Sequence, residues 1–140
     1  MERVLSGPGL HNIFRALQGM GGQPADTAID ALLASDDPAA TISRAALSYS
    51  HPIAVQALDT FVRLYGAEAG NLALKMMATG GVFIGGGIAP RIIDKMTGKP
   101  FMEAFLAKGR MRPLMEAMPV KVILNDKAAL FGAARFAATS

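Results

Sequence analysis

The sequence predicts a helix-rich α/β fold with short parallel strands. Three observations carry that expectation. The stretch HPIAVQALDTFVRLYGAEAGNLALKMMATGG, starting at His51, keeps a helical period of apolar residues. Two short β-type runs, VFIG at 82–85 and PVKVILND at 119–126, are separated by helical segments, and strands joined by helical crossovers pair in parallel with a right-handed connection. The first of these runs lies inside GGVFIGGGIAPR, residues 80–91, where five glycines surround one apolar run. Glycine weakens the interior of a strand or helix, so such a cluster signals close backbone approach, either to a ligand or to another element.

The elements follow in order. RVLS runs into GPG and then LHNIFRALQGM, a helix with Leu10, Ile13, Phe14 and Leu17 on one face. GGQP breaks it. ADTAIDALLAS places Ile29, Leu32 and Leu33 at helical spacing. In DDPAATISRAAL, Asp37 is an N-cap and Pro38 stands at the first helical position. Pro52 starts the long helix, whose stripe holds Ala54, Leu58, Phe61, Val62, Tyr65, Ala69, Leu72, Ala73 and Met76. Ala57, Leu64, Leu74 and Met77 widen that stripe towards all-round burial. Gly66 and Gly70 within it permit close packing, and Gly80–Gly81 end it. VFIG is expected to be a short buried strand, and IAPRIIDKM a turn and short helix. KPFMEAFLAKG, carrying Phe101, Phe105 and Leu106, and RMRPLMEAM are two more short helices. PVKVILND is the second strand, led by Pro119, where a missing N–H is tolerated. DKAALFGAARFAA closes the chain as a helix with Asp126 as its expected cap.

Composition narrows the function classes. At 140 residues the chain is one domain's worth and can bury a core. With 51% apolar and 18% charged residues it is not a disordered polymer. No apolar run approaches the ~20 residues of a membrane span, and no secretory leader opens the sequence, so no membrane role is expected. Cysteine is absent, which removes disulfide and thiol chemistry and fits the cytoplasm. The net charge of +3 is uneven: residues 1–89 hold five Lys/Arg and seven Asp/Glu, residues 90–140 nine and four. A basic half attracts phosphate or nucleotide, or is simply a solvated face. Its cations are scattered, with no Trp and two Tyr for stacking, so no nucleic-acid partner is expected.

The motif search is mostly exclusionary. Gly85-Gly86-Gly87-Ile88-Ala89-Pro90 reads G-x-G-x-x-P, and no acidic residue stands where a dinucleotide site needs it. There is no G-x-x-x-x-G-K-[ST] phosphate loop and no G-x-S-x-G elbow. His11 and His51 are 40 residues apart without clustered carboxylates, so neither metal nor general-base chemistry is assigned. What remains is a strand, then GGGIAPR, then a helix. A glycine turn at the carboxyl end of a parallel strand is where open α/β sheets bind ligands. Side-chain-free backbone lets a base or ribose lie flat, and a following helix start with Arg91 nearby favours an anion. A purely structural tight turn is the other reading. The sheet raises a difficulty of its own. Two parallel strands rarely stand alone and leave both edges open, so the chain reads as the end of a sheet whose other strands lie elsewhere.

Several blocks then carry a resemblance. ERVLSGPGLHNIFRAL, AGNLAL, GGVFIGGGIAPRI, FLAKGRM, MPVKVILND and ALFGAARF, spread over 2–17 and about 66–136, together resemble the C-terminal part of the bacterial glucokinase family, of the actin and sugar-kinase superfamily. Residues 18–50 match it less. The resemblance implies one partial large-lobe domain over 1–140, the end of a ribonuclease-H-like sheet. It implies an ATP-dependent phosphoryl transfer to the glucose 6-hydroxyl, with Mg²⁺. Carried across, GGVFIGGGIAPR resembles the family's adenosine segment, which makes Gly85, Gly86, Gly87 and Ile88 nucleotide contacts. Ser6, Gly7 and Gly9 of LSGPGL would border the cleft, and Gly132, Ala133 and Ala134 would pack near the sheet.

The departures matter as much. The family's D-x-G-G-T-like phosphate segment, its catalytic aspartate, its second phosphate-binding glycine segment and its glucose ligands have no counterpart here. Asp94, Glu103 and Asp126 do not replace them. No catalytic residue is therefore expected in this chain, and no turnover by it alone. Glucose would bind only with an upstream segment. The expected partners are nucleotide and either that upstream half or further copies of the chain, since the family's dimer contact often lies in this region. The competing function is a non-enzymatic oligomerisation or docking module.

Overall fold

A computed structural model describes residues 4–21, 33–34 and 37–139. Helix α1 (Gly7–Met20) is capped by Ser6, whose Oγ accepts from the Gly9 N–H at 3.1 Å. Its buried face holds Leu10 and Phe14, with Ile13 and Leu17 packed beside them. Helix α2 (Pro38–Leu47) starts as the sequence predicts, with Asp37 Oδ1 accepting from the Ala40 N–H at 3.0 Å. Of the helix expected between them, Ile29 and Leu32 lie outside the described residues and Leu33 is buried.

Helix α3 (Pro52–Lys75) is the spine of the fold. Its 24 residues span about 36 Å. Pro52 opens it, and His51 Nδ1 accepts from the Ala54 N–H at 3.3 Å. Ala54, Ala57, Leu58, Phe61, Val62, Gly66, Gly70 and Ala73 are buried against α1, α2 and the later helix α6 (Lys99–Leu106). The expected near-all-round burial holds only for the first half. Leu72 is 58% exposed and Met76 70%. The helix also ends before Gly80–Gly81. Met77 takes a left-handed φ of 49°, the Ala78 N–H reaches the Ala73 carbonyl at 2.9 Å and the Met77 N–H reaches Leu74 at 3.2 Å. That hydrogen-bond pattern closes a helix without a glycine. Tyr49, at φ 53°, closes α2 the same way, with Ser50 donating to Ala45.

Two short strands follow, β1 (Val82–Ile84) and β2 (Val120–Val122). They pair in parallel, Val82 beside Val120 and Ile84 beside Val122. The crossover holds α4 (Ile88–Arg91), α5 (Ile93–Met96), α6, a 3₁₀ turn (Gly109–Met111) and α7 (Arg112–Glu116). IAPRIIDKM thus makes two short helices, interrupted at Ile92, and RMRPLMEAM a 3₁₀ turn and a helix. β1 buries one face only, because Phe83, on the face opposite Val82 and Ile84, is 62% exposed.

Helices α3 and α6 approach each other closely. A Cβ added at Gly66 would run into the Phe101 carbonyl, and one at Gly70 would lie 2.5 Å from the Phe105 carbonyl. The two helices meet backbone to backbone there. Around the crossing, Phe61, Tyr65, Phe101 and Phe105 form an edge-to-face and stacked series with centroids 5.9 to 6.4 Å apart. Lys108 Nζ donates to the Ala67 carbonyl at 2.9 Å. A second tie joins α5 to α3. Lys95 Nζ donates to Asp59 Oδ1 at 2.8 Å and lies 5.2 Å from the Tyr49 ring centre. The hydrogen bond to Asp59 holds the Lys95 ammonium above its ordinary pKa.

Helix α8 (Ala128–Thr139) corrects two expectations. It buries no residue, and Leu130, Phe131 and Phe136 are 67%, 59% and 76% exposed. A Cβ at Gly132 would meet nothing within 4 Å, so Gly132, Ala133 and Ala134 do not pack on the sheet within the described residues. A helix this apolar is built to be covered, and its cover is not supplied by those residues. The turn into α8 is made by Asn125, whose Oδ1 accepts from the Lys127 N–H at 2.9 Å, rather than by Asp126.

The glycines give the first test. Gly66→Ala and Gly70→Ala should each lower the unfolding free energy by about 1–3 kcal/mol through overpacking. Gly132→Ala should be neutral or stabilise by up to about 1 kcal/mol through helix propensity. Urea unfolding monitored by circular dichroism separates the two classes. The Lys95–Asp59 pair gives the second. Asp59→Asn should cost about 0.5–1 kcal/mol at pH 7. Lys95's pKa is raised on folding, so this stabilisation is complete below its unfolded value of 10.5 and disappears as pH rises through the folded value. The gap between variant and parent in urea midpoints should close accordingly above that pH.

Candidate functional site

The glycines fall into two groups by what surrounds them. Gly9, Gly66 and Gly70 are pressed against backbone: a Cβ at Gly9 would strike the Val4 carbonyl. These three answer to packing. Gly85, Gly86 and Gly87, directly after β1, are all exposed. Gly86 has a φ of 104°, which excludes other residues without strain. Gly85 and Gly87 have no such requirement. A Cβ at Gly85 would make an ordinary 3.7 Å contact with Ile123, and one at Gly87 would meet nothing within 4 Å. The corner is therefore open, and no side chain of the described residues plugs it.

A groove of about 340 Å³ opens from the residue after this corner, within the ~300–1,000 Å³ range of small-molecule sites. One wall is the α2 face of Ala40, Ser43, Arg44 and Leu47, and the other is Ile88, Arg91 and Ile92. Leu47, Ile88 and Ile92 make an apolar floor. Two guanidiniums and one hydroxyl sit among them. Such a slot suits a planar heteroaromatic ring, which stacks on guanidinium planes and takes hydrogen bonds at its edge.

The sequence-predicted residues separate here. Ile88 lines the groove; Gly85 to Gly87 precede it in the chain but do not line it, and Gly85 lines a separate cleft along β1. Arg91 also lines it, but its Nη1 lies 3.6 Å from Asp37 Oδ2. The helix after the corner is a single turn of four residues, too short to offer an anion much of a dipole. Ser6, Gly7 and Gly9 do not line this groove: Ser6 caps α1, and a Cβ at Gly7 would touch Ala39. Ser43 and Arg44 were not singled out from sequence. Their i, i+3, i+4, i+7 spacing with Ala40 and Leu47 marks a shared face, but only the fold shows what that face meets.

Among the described residues no histidine or carboxylate lines the groove. Among the described residues no three His, Asp or Glu side chains come together as a cation site. His51 is occupied as a cap. His11 Nε2 is buried without a hydrogen-bond partner among the described residues.

The family model described as glucokinase matches residues 1–140. The chain belongs to the glucokinase family. A glucokinase from Synechocystis sp. is 41% identical over 151 aligned residues, covering 100% of this chain and 42% of that protein. One from Marinobacter nauticus is 40% identical over 96% of this chain and 39% of that protein. The crystal structure of a glucokinase from an Antarctic psychrotroph superposes with a TM-score of 0.81 at 34% identity, over 99% of this chain and 40% of that one. The chain thus spans about two fifths of the length of these glucokinases and matches their C-terminal part.

The two kinds of glycine predict different responses. Gly87→Ala should leave the unfolding midpoint within measurement error of the parent, because its Cβ enters open space. Gly86→Ala should cost about 1 kcal/mol for its left-handed backbone. Thermal unfolding of the two variants side by side checks this. An equal loss from both would mean the corner is packed rather than open.

Proposed function

We propose that this chain is the adenosine-binding, C-terminal large-lobe portion of an ATP-dependent glucokinase. Residues 1–140 form one partial domain, the end of a ribonuclease-H-like sheet. Gly85, Gly86 and Gly87 let ribose and base approach the backbone, and Ile88 supplies apolar contact to the base. The groove between α2 and α4 takes the purine, with Arg44 and Arg91 against its plane and edge. The observation that carries this reading is the open glycine corner immediately before Ile88, which lines that groove, in a chain of the glucokinase family.

The whole enzyme's reaction moves the γ-phosphoryl of ATP to the 6-hydroxyl of glucose. Its chemical demands are a base for the hydroxyl proton and charge stabilisation around the phosphates. The described residues offer no such group: among them the carboxylates are dispersed, with Asp59 held by Lys95, Asp37 capping α2, and Glu116 paired with Arg112 at 2.9 Å. Mg²⁺ would be held by the nucleotide's phosphates and by residues outside this chain. Base, phosphate contacts and glucose contacts belong to the polypeptide that precedes this region in the longer relatives, and the chain works by joining it. Such a nucleotide-dependent enzyme operates in the cytoplasm, and no helix of the described residues is long and apolar enough to cross a membrane.

Titrating the 140-residue chain with a non-hydrolysable ATP analogue, followed by amide NMR, should shift Gly85 to Ile88 and the α2 residues Ser43 and Arg44. Glucose alone should shift none of them. Arg44→Ala should weaken the analogue by about tenfold, the cost of one stacked, hydrogen-bonding guanidinium. A coupled glucose-phosphorylation assay on the chain alone should read background. Shifts that bypass the corner, or enzyme-like turnover from this chain alone, would overturn the proposal.

A further inference from the structure

We propose, resting on the reading of the groove as a nucleotide site, that Asp37 is a positioning residue which holds Arg91 across one end of the groove. An entering nucleotide gains that guanidinium only by displacing the carboxylate. The groove thus carries a built-in competitor for one of its two cations.

The two oxygens of Asp37 have separate partners. Oδ1 accepts from the Ala40 N–H at 3.0 Å and caps α2. Oδ2 lies 3.6 Å from Arg91 Nη1. Ala40 belongs to one wall of the groove and Arg91 to the other, while Asp37 itself does not line it. One carboxylate therefore spans the two walls from outside. Asparagine or serine would cap a helix as well, so what the carboxylate adds at this position is a charge facing Arg91. Of the two guanidiniums that line the groove, only that of Arg91 is ion-paired among the described residues, and that of Arg44 is not.

The opposite end of the same walls is tied differently. Tyr49 stands two residues beyond Leu47, and Lys95 three beyond Ile92. Lys95 Nζ lies 5.2 Å from the Tyr49 ring centre and donates to Asp59 on α3 at 2.8 Å, and its side chain is only 17% exposed. The Arg91 and Asp37 side chains are 70% and 57% exposed. Exposed pairs are weak and screened by salt, whereas enclosed ones are screened much less. The walls are thus pinned beside Lys95, and the Asp37–Arg91 link is the one weak enough to open. Ala89 and Ile92, on either side of Arg91, are buried in the core, so the guanidinium can change partner by side-chain rotation while its backbone stays in place. A nucleotide offers it both a ring to stack on and phosphate oxygens to bind, which suits a planar, forked cation.

Calorimetric titration with a non-hydrolysable ATP analogue compares the parent chain with Asp37→Asn and Asp37→Ser, which both keep a capping side chain. Each should bind the analogue about two- to fivefold more tightly than the parent, with unchanged far-UV circular dichroism. In an Arg91→Ala background, Asp37→Asn should leave the affinity unchanged, because no guanidinium is left to release. In the parent, the Arg91 side-chain Nε–H resonance, assigned by its loss in Arg91→Ala, should shift as the analogue binds. Equal affinity of parent and Asp37 variants, with Gly85 to Ile88 still shifting, overturns the latch and leaves the nucleotide reading standing. So does an Arg91 resonance that stays put while the analogue binds. A gain that persists in Arg91→Ala assigns the effect to plain repulsion between Asp37 and the phosphates and also overturns it. An analogue bound by neither the parent nor any variant removes the nucleotide reading, and the latch with it.

Discussion

The close contact of α3 with α6 governs the rest of the architecture. At Gly66 and Gly70 there is no room for even one carbon between α3 and the carbonyls of Phe101 and Phe105. Helices that approach this closely exchange many weak dispersion contacts, and their relative position is fixed by backbone rather than by adjustable side chains. The four-ring aromatic series and the Lys108–Ala67 hydrogen bond lie around the same crossing. Because α6 sits inside the crossover between β1 and β2, its anchorage to α3 sets where the crossover runs. That in turn sets where β1 ends and where the glycine corner points.

From this spine the molecule divides into a finished and an unfinished side. Towards α1 and α2, Leu10, Phe14, Ile42, Leu58 and Phe61 are fully enclosed. Each such side chain contributes about 1.5–3 kcal/mol by leaving water. Towards the sheet's outer edge and α8, Leu72, Met76, Phe83, Leu130, Phe131 and Phe136 remain largely exposed. Exposed apolar side chains also stand singly elsewhere, at Met20 and Tyr49, as on most domain surfaces. The asymmetry agrees with a match that covers about 40% of the related glucokinase structure.

Much of this was legible in the sequence, and the misses share a cause. Local signals worked: Asp37 with Pro38, and Pro52 at the head of α3, mark helix starts through their own backbone chemistry. The order of two short strands around helices led to their parallel pairing. Where the outcome depended on what a residue meets, pattern was insufficient. Leu72 and Met76 have the spacing of core residues, and α8 has the composition of a buried helix, yet periodicity cannot say whether the covering element is present. The end of α3 was missed for a different reason. Tyr49 and Met77 adopt left-handed backbone that sequence rules reserve for glycine or asparagine, and the hydrogen bonds to Ala45 and Ala73 compensate that strain. Ser43 and Arg44 became visible only when the fold brought α2 beside Ile88.

The groove and the sheet edge depend on different parts of this framework. Both walls of the groove are held from the finished side: α2 packs on α1 and α3, and the segment after the corner is pinned by Ala89 and Ile92 in the core and by Lys95 on Asp59. None of these contacts involves the outer edge of β1. The groove can therefore form whether or not the outer edge of β1 is covered. Gly85 is where the two meet, since it lines the cleft along the β1 edge and begins the turn into the groove. The same glycine run that ends β1 thus also sets the path by which the chain reaches Ile88 in the groove.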